Sequence, residues 1–406
     1  MSRSTGGGTR AGGANEGAYR VMVVDDSAVV RGMTTRFLER DSDIVIAASV
    51  GDGQRAISQL ERHAPIDVIV LDIEMPVMDG LTALPKLVEK QSDVQVLVSS
   101  TLTKSNADVS LKALRAGAAD YVTKPGNSGL HNADEFQEEL RHKVKALGAA
   151  RRRNAGSAQP EGAPTARRQP STGRAATGSS EAPSARERTG GGESPSARSG
   201  SAPAQVSTRP ASSQTPEVIA IGASTGGPQA LFQVLTELGP VKQPILITQH
   251  MPKTFTALLA DHIKRQTKLD AIEVEGGETL VGGRVHVAPG GSHMVVERSG
   301  NDLRLTLSDD PPENFCKPSV DPMLRSLSKV FGARLLTVIL TGMGHDGYYG
   351  CQTVVQAGGQ VIAQDEASSV VWGMPGAVAK AGLCSAVLPL SEIAGHMRKI
   401  AVRSAA

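Results

Sequence analysis

The chain has 406 residues but only three cysteines, Cys316, Cys351 and Cys384. Their spacing fits no metal-ligand pattern, and an odd, scattered set argues for a reducing compartment rather than a disulfide scaffold. No run of 18 apolar residues occurs, so no transmembrane helix and no membrane insertion are expected. The first twenty residues are mostly Gly, Ser, Arg, Thr and Ala, without the apolar stretch of a secretory leader. These absences point to the cytoplasm, and residues 1–19 read as a disordered tail. An excess of one charge is missing too. Lys and Arg total 43 against 41 for Asp and Glu, a net charge of +2, so nothing draws the whole chain toward nucleic acid. No helix-turn-helix pattern appears, which argues against a transcription factor. The sharpest absence is local. Residues 151 to 216 contain no Ile, Leu, Met or aromatic residue, and Val206 is their only Val. Such a segment cannot bury enough apolar surface to offset its ordering entropy. A disordered linker is therefore expected over 148–216, its ten Arg and four Glu serving a solvated spacer.

Hydrophobic residues make up 39% of the chain, enough for buried cores on either side of that linker. From residue 20 to 125, apolar runs at Val21–Val24, Ile44–Val50, Val68–Leu71, Val94–Val98 and Tyr121–Val122 alternate with helical patterns such as Ala28–Glu39. A further amphipathic helix is predicted over Glu135–Leu147. From 217 to 400 the alternation resumes, with runs at Val218–Ile221, Ile245–Thr248, Val285–Ala288, Leu335–Leu340, Val361–Ala363 and Ala386–Leu388. His293–Leu307 alternates like a hairpin, turning at Ser299-Gly-Asn-Asp302. The predicted fold class is α/β, two doubly wound, mainly parallel-sheet domains.

Chemistry in open α/β sheets collects at the carboxyl ends of strands. In the first domain Asp25 and Asp26 follow one strand, Asp72 follows another, Ser99 and Ser100 end a third, and Lys124-Pro125 follows a fourth. Three carboxylates at one edge need a cation, and hard oxygen ligands suit Mg²⁺. Helix capping by Asp accounts for one or two of them, but not for a lysine and a hydroxyl at the same edge. The segments VMVVDDS, LDIEMPVMDG and YVTKP resemble the receiver domain of bacterial response regulators, over residues 20–140. The resemblance implies phosphorylation of Asp72 by a histidine kinase and Mg²⁺ held by Asp25, Asp26, Asp72 and the backbone carbonyl of Glu74. It also implies Lys124 as the phosphoryl partner and Ser99, or its neighbour Ser100, as the switch hydroxyl.

In the second domain, Val218-Ile-Ala-Ile-Gly-Ala-Ser-Thr-Gly-Gly-Pro-Gln229 reads strand, small-residue turn, helix. A plain turn or a phosphate-cradling loop would look similar. Two other strand ends favour a nucleophile at Ser224, because His250 follows Ile245–Gln249 and Asp346 follows the run from Leu335. A serine hydroxyl needs an imidazole to take its proton, and the imidazole needs a carboxylate to fix its tautomer. His345 competes with His250 for that place. Backbone N–H groups near Thr225 and Met343 are candidates for an oxyanion site. The segments GASTGGPQAL, QHMP, KPSVD, LTGMGHDG and GMP resemble the catalytic domain of chemotaxis protein-glutamate methylesterases, over residues 217 to about 395. The resemblance implies a triad of Ser224, His250 and Asp346, assisted by Thr225 and Met343. It implies hydrolysis of glutamate γ-methyl esters on methyl-accepting chemoreceptors, and deamidation of receptor glutamines, without a cofactor for the esterase reaction. Gly376 stands where a basic residue is expected. The alternative is a two-component signalling scaffold that binds without catalysis.

Overall fold

Two parallel sheets, built from these apolar runs, organise the computed structural model, which describes residues 17–63, 65–101, 103–125, 131–157 and 206–402. In the N-terminal domain the elements are β1 (Tyr19–Val24), α1 (Ala28–Leu38), β2 (Ile44–Val50), α2 (Gly53–His63), β3 (Val68–Asp72), α3 (Gly80–Lys90), β4 (Gln95–Ser100), α4 (Lys104–Arg115), β5 (Asp120–Thr123) and α5 (His131–Ser157). The sheet order is β2-β1-β3-β4-β5, all neighbours parallel. β1 and β3 are buried almost throughout, as expected of strands covered by helices on both faces. The order reverses between β1 and β3, so the Asp25–Asp26 and Asp72 ends open into one crevice. Gly80 lets α3 start against β3, because a Cβ there would collide with the Asp72 carbonyl.

The C-terminal domain contains β6 (Val218–Ala223), α6 (Gly227–Leu238), β7 (Ile245–Gln249), α7 (Lys253–Thr267), β8 (Asp270–Glu273), β9 (Arg284–Val287), β10 (His293–Ser299), β11 (Asp302–Ser308), α8 (Val320–Phe331), β12 (Leu335–Ile339), α9 (Tyr348–Gln356), β13 (Gln360–Gln364), α10 (Met374–Lys380), β14 (Ala386–Leu388) and α11 (Leu390–Ala401). Its parallel sheet runs β14-β13-β12-β6-β7-β9-β8, and β10 and β11 form a separate antiparallel hairpin pairing Ser299 with Asp302. The chain winds outward from β6 in one direction and then, from β12, in the other. Three central strands, β12, β6 and β7, therefore deliver their following residues to one edge.

Three expectations need correction. The edge strand β8 was not predicted, since Asp-Ala-Ile-Glu offers two apolar residues and is half exposed. The helix predicted over Glu135–Leu147 continues to Ser157, ten residues into the expected linker. Tertiary contacts hold this extension. Gly148 packs on the Tyr19 ring, Ala150 is buried, and Arg151 and Arg152 pair with Asp67 at 2.8 and 2.7 Å. At the far end, Val206 packs on the second domain's core and the Arg209 N–H donates to the Cys384 carbonyl at 2.8 Å, so 206–216 is docked rather than spacer. Of the expected tail and linker, residues 1–16 and 158–205 lie outside the described residues.

Both domains belong to one compact unit. Helix α4 lies against α6 and α7. The rings of Tyr121 and Phe255 stack at 4.4 Å, and His262 Nε2 meets Asp108 Oδ1 at 2.9 Å. The Gln229 amide donates to the Leu114 and Ala118 carbonyls, at and just after the end of α4.

Asp67 supports the α5 extension through a buried carboxylate. Burial opposes its charge, but hydrogen bonds from Arg152, the Arg20 N–H and Arg151 outweigh it and hold its pKa below the usual 3.8. The stabilisation is present above the unfolded pKa and is lost as pH falls through the folded one. Asp67→Ala should strand two guanidinium groups and cost on the order of 3 kcal/mol. Urea unfolding of the full chain near pH 7 checks this, and an unchanged midpoint would show that α5 ends without help from Asp67.

Candidate functional site

At the N-terminal crevice, Asp25, Asp26 and Asp72 bring carboxylate oxygens within 4.8 Å of one another. Lys124 Nζ bridges Asp25 and Asp72, at 2.8 Å to each. Burial is the largest influence on Asp72 and raises its pKa; Lys124 opposes this and the Asp25 charge adds to it. Burial likewise disfavours the Lys124 ammonium, but its two carboxylate partners raise its pKa overall. Such a set, with Asp26 exposed to solvent, fits a hard divalent cation. Glu74 lies two residues past the end of β3 and is exposed. The two serines separate by strand geometry. Ser99 pairs in register with Asp72 and so shares its face of the sheet. Ser100 points to the other face, where its hydroxyl bonds Ser110 at 2.8 Å.

At the C-terminal edge, Ser224 follows β6 in a turn whose Gly226 has φ 74° and whose next residue begins α6. Its N–H donates to the Thr341 carbonyl at 3.0 Å, which ties the turn to the end of β12. Among the described residues the Ser224 hydroxyl has no hydrogen-bond partner. The same is true of the Thr225 and Met343 N–H groups, while Gly342 packs against Ser224. Free donors beside a helix N-terminus suit developing negative charge. His250 is held to the neighbouring strand by its N–H on the Ala223 carbonyl, at 3.2 Å. Its Nε2 meets Asp346 Oδ2 at 2.7 Å. His345 is exposed and packs on Tyr349, away from that pairing.

Asp346 is buried and accepts several hydrogen bonds. It accepts from Ser319 Oγ at 2.6 Å, the Val320 N–H at 2.6 Å, the Gly347 N–H at 2.9 Å and Asn314 Nδ2 at 2.9 Å, besides His250. Two of these donors sit at the start of α8, whose dipole also favours the anion. Burial pushes its pKa up, but His250 and these donors pull it well below the carboxylate range. The adjacent Asp321 moves the other way, to about 6, through burial and then the Asp346 charge. For His250, burial works against the charged ring, while the hydrogen bonds to Asp346 and Cys316 push its pKa up to about 10.

Sequence reading missed this supporting shell. Asn314, Ser319 and Asp321 lie on a loop and helix start remote in sequence, and only the KPSVD segment hinted at them. It also missed Cys316, whose Sγ lies 3.3 Å from His250 Nδ1. A lone cysteine carries no spacing that would place it on a histidine 66 residues away. Gly376 sits against the Trp372 ring, which a Cβ there would meet at 3.0 Å.

A profile of the CheB methylesterase family matches residues 219–397, and one of the response regulator receiver domain matches residues 21–133. The chain is 54% identical to the protein-glutamate methylesterase/protein-glutamine glutaminase of group 2 operon of Rhodospirillum centenum, over 96% of this chain and 95% of that protein. It is 54% identical to protein-glutamate methylesterase/protein-glutamine glutaminase 1 of Paramagnetospirillum magneticum, over 95% of this chain and 97% of that one. Among solved structures, the Thermotoga maritima CheB methylesterase catalytic domain is 34% identical, covering 46% of this chain and 100% of its own, with a TM-score of 0.44.

The raised His250 pKa sets a pH window. The ring's ion pair contributes stability fully below the unfolded pKa near 6.5, and that contribution is lost as pH rises through about 10. Histidine-labelled protein should show the His250 ring still protonated at pH 8, and Cys316→Ala should lower its titration midpoint. A midpoint between 6 and 7 in the unaltered chain would contradict the bonding described.

Proposed function

The chain belongs to the CheB methylesterase family, with a response regulator receiver domain at its N-terminal side, and from that premise we propose that Ser224, His250 and Asp346 perform the ester hydrolysis. It is a protein-glutamate methylesterase and protein-glutamine glutaminase of chemotaxis adaptation. The observation that carries the assignment is the 2.7 Å contact between His250 and Asp346 at the ends of the strands beside that of Ser224. Ser224 Oγ attacks the glutamyl ester carbonyl and passes its proton to His250. Because Nε2 is committed to Asp346, Nδ1 is the nitrogen left for the serine. Negative charge on the former carbonyl oxygen is met by the Thr225 and Met343 N–H groups. Collapse expels methanol, protonated by His250, or ammonia when the substrate is glutamine. Water then attacks the acyl-serine, again through His250, and releases the glutamate. In the structure Cys316 Sγ lies 3.3 Å from Nδ1, and, against burial, the Asp346 and Cys316 hydrogen bonds raise the ring's pKa. Activity therefore requires the ring to lose its proton and leave Cys316.

For the N-terminal domain, the reading is phosphorylation of Asp72 by a histidine kinase, with Mg²⁺ on Asp25, Asp26, Asp72 and the Glu74 carbonyl. The metal would neutralise charge on phosphoryl oxygens. Lys124, now shared by Asp25 and Asp72, becomes the cationic partner of the new group, and Ser99, on the same face, turns toward it. The reaction belongs in the cytoplasm, with methyl-accepting chemoreceptors as substrate. No described helix is long and apolar enough to cross a membrane. Regulation follows from the contact of α4 and Tyr121 with the esterase. Val370 packs on the receiver's core and abuts Gly226, in the turn that carries Ser224. The docked receiver thus bears on the nucleophile's turn, and phosphorylation loosens it.

Two tests follow. Ser224→Ala should reduce methanol release from methylated receptor membranes by about 10⁴-fold or more, with His250→Gln close behind. A tenth of normal activity in Ser224→Ala, or full activity in His250→Gln, would refute the assignment. On the regulatory side, Asp72→Asn should abolish activation by a small phosphodonor but keep the basal rate. Asp108→Ala, which removes the partner of His262, should raise the unphosphorylated rate several-fold. An unchanged basal rate in Asp108→Ala would show that receiver docking does not restrain the esterase.

A further inference from the structure

The loop before α8 contains a turn of unusual composition. The Glu313 N–H donates to the Cys316 carbonyl at 3.2 Å, and the Cys316 N–H donates to the Glu313 carbonyl at 2.9 Å. Between them, Asn314 and Phe315 both adopt left-handed backbone, with φ of 52° and 63°. Two left-handed central residues define a type I′ turn, whose usual occupants are Asn-Gly. Asn314 fits its position. Phe315 does not, because a bulky side chain in that region is strained. Its ring is also wholly in solvent, at 103% relative exposure, the highest of any large apolar side chain among the described residues. Backbone strain and an exposed aromatic ring are both unfavourable, and among the described residues the ring itself is left uncovered.

Phe315 is nonetheless held firmly. On one side of it, Asn314 Nδ2 donates to Asp346 Oδ1 and to Asp321 Oδ2, each at 2.9 Å. On the other, Cys316 Sγ lies on His250 Nδ1. Glu313 takes two hydrogen bonds from the Arg325 guanidinium, one at 2.8 Å. The tip of this turn is thus fixed to both the carboxylate and the imidazole of the esterase site, and it presents one aromatic ring outward. Strain retained at a site in this way is a mark of function. A ring with only two side-chain torsions loses little entropy when it is covered.

We propose that Phe315 is a specificity-determining residue of the esterase, covered on binding by an apolar side chain of the receptor protein next to the esterified glutamate. The inference rests on the esterase reading above and adds a contact with the flanking chain rather than with the ester. It explains why the ring stands out of the fold while its neighbours point in. A short ester lacks the flanking chain and does not feel the ring.

The test uses the full chain and two substrates, methylated chemoreceptor membranes and N-acetyl-glutamate γ-methyl ester amide. Phe315→Gly removes the ring and relieves the backbone strain together. It should unfold at the same temperature as the unaltered chain or higher. KM for receptor membranes should rise about tenfold with kcat within two- to threefold, and hydrolysis of the small ester should be unchanged. Phe315→Tyr should restore the receptor KM. An unchanged receptor KM in Phe315→Gly means that the ring is idle and overturns the proposal. Equal loss on both substrates, or a lowered unfolding temperature, means that the residue serves the fold and overturns it as well. Failure of the esterase reading would appear separately, as Ser224→Ala active on both substrates.

Discussion

The esterase half of this protein is organised around a charge that must not be left alone. Asp346 is buried at the end of β12, where an unpaired carboxylate would be prohibitively costly. Its donors come from the α8 start, the Asn314 turn, its own loop and His250. Satisfying it therefore brings together segments that are far apart in sequence. The position of the imidazole follows, and so does that of the turn that carries Phe315. A well-solvated anion is also an ineffective proton acceptor, so Asp346 can orient and charge-stabilise His250 without taking its proton.

The receiver uses its buried acid in the opposite way. Asp72 has one ammonium partner, shared with Asp25, and one backbone donor, the Ile73 N–H at 2.8 Å. Its pKa is raised where that of Asp346 is lowered. An acid with only two donors and a charged carboxylate beside it has room in its energetics for a new bond and a new cation. Two buried aspartates at the ends of parallel strands thus acquire different chemistry from the number of donors that surround each.

The two domains meet through a polar and aromatic contact. Gln229 reaches the Leu114 and Ala118 carbonyls, Tyr121 stacks on Phe255, and Asp108 shares its charge between Lys112 and His262. The Lys112 and His262 hydrogen bonds keep the Asp108 pKa low, so it stays ionised and available to His262 near neutrality. Such a contact is specific without being large. The contact lies on α4, the helix that follows the strand carrying Ser99.

Much of this was written in the chain. Apolar runs of four to six residues ending in Asp, Ser or His predicted parallel strands and placed Asp25, Asp72, Ser224, His250 and Asp346 at one edge of each sheet, because strand periodicity and carboxyl-end chemistry are local in sequence. Tertiary structure decided what local pattern cannot carry. It extended α5 to Ser157 by supplying Asp67 to two arginines that read as linker. It put Ser99, and not Ser100, on the face of Asp72 by strand register, and His250, and not His345, on Asp346. It also placed Cys316 on the imidazole and left Phe315 outside. Each of these depends on a partner at long sequence separation, and the free energy of a buried charge or a strained turn is set by that partner rather than by its neighbours in the chain.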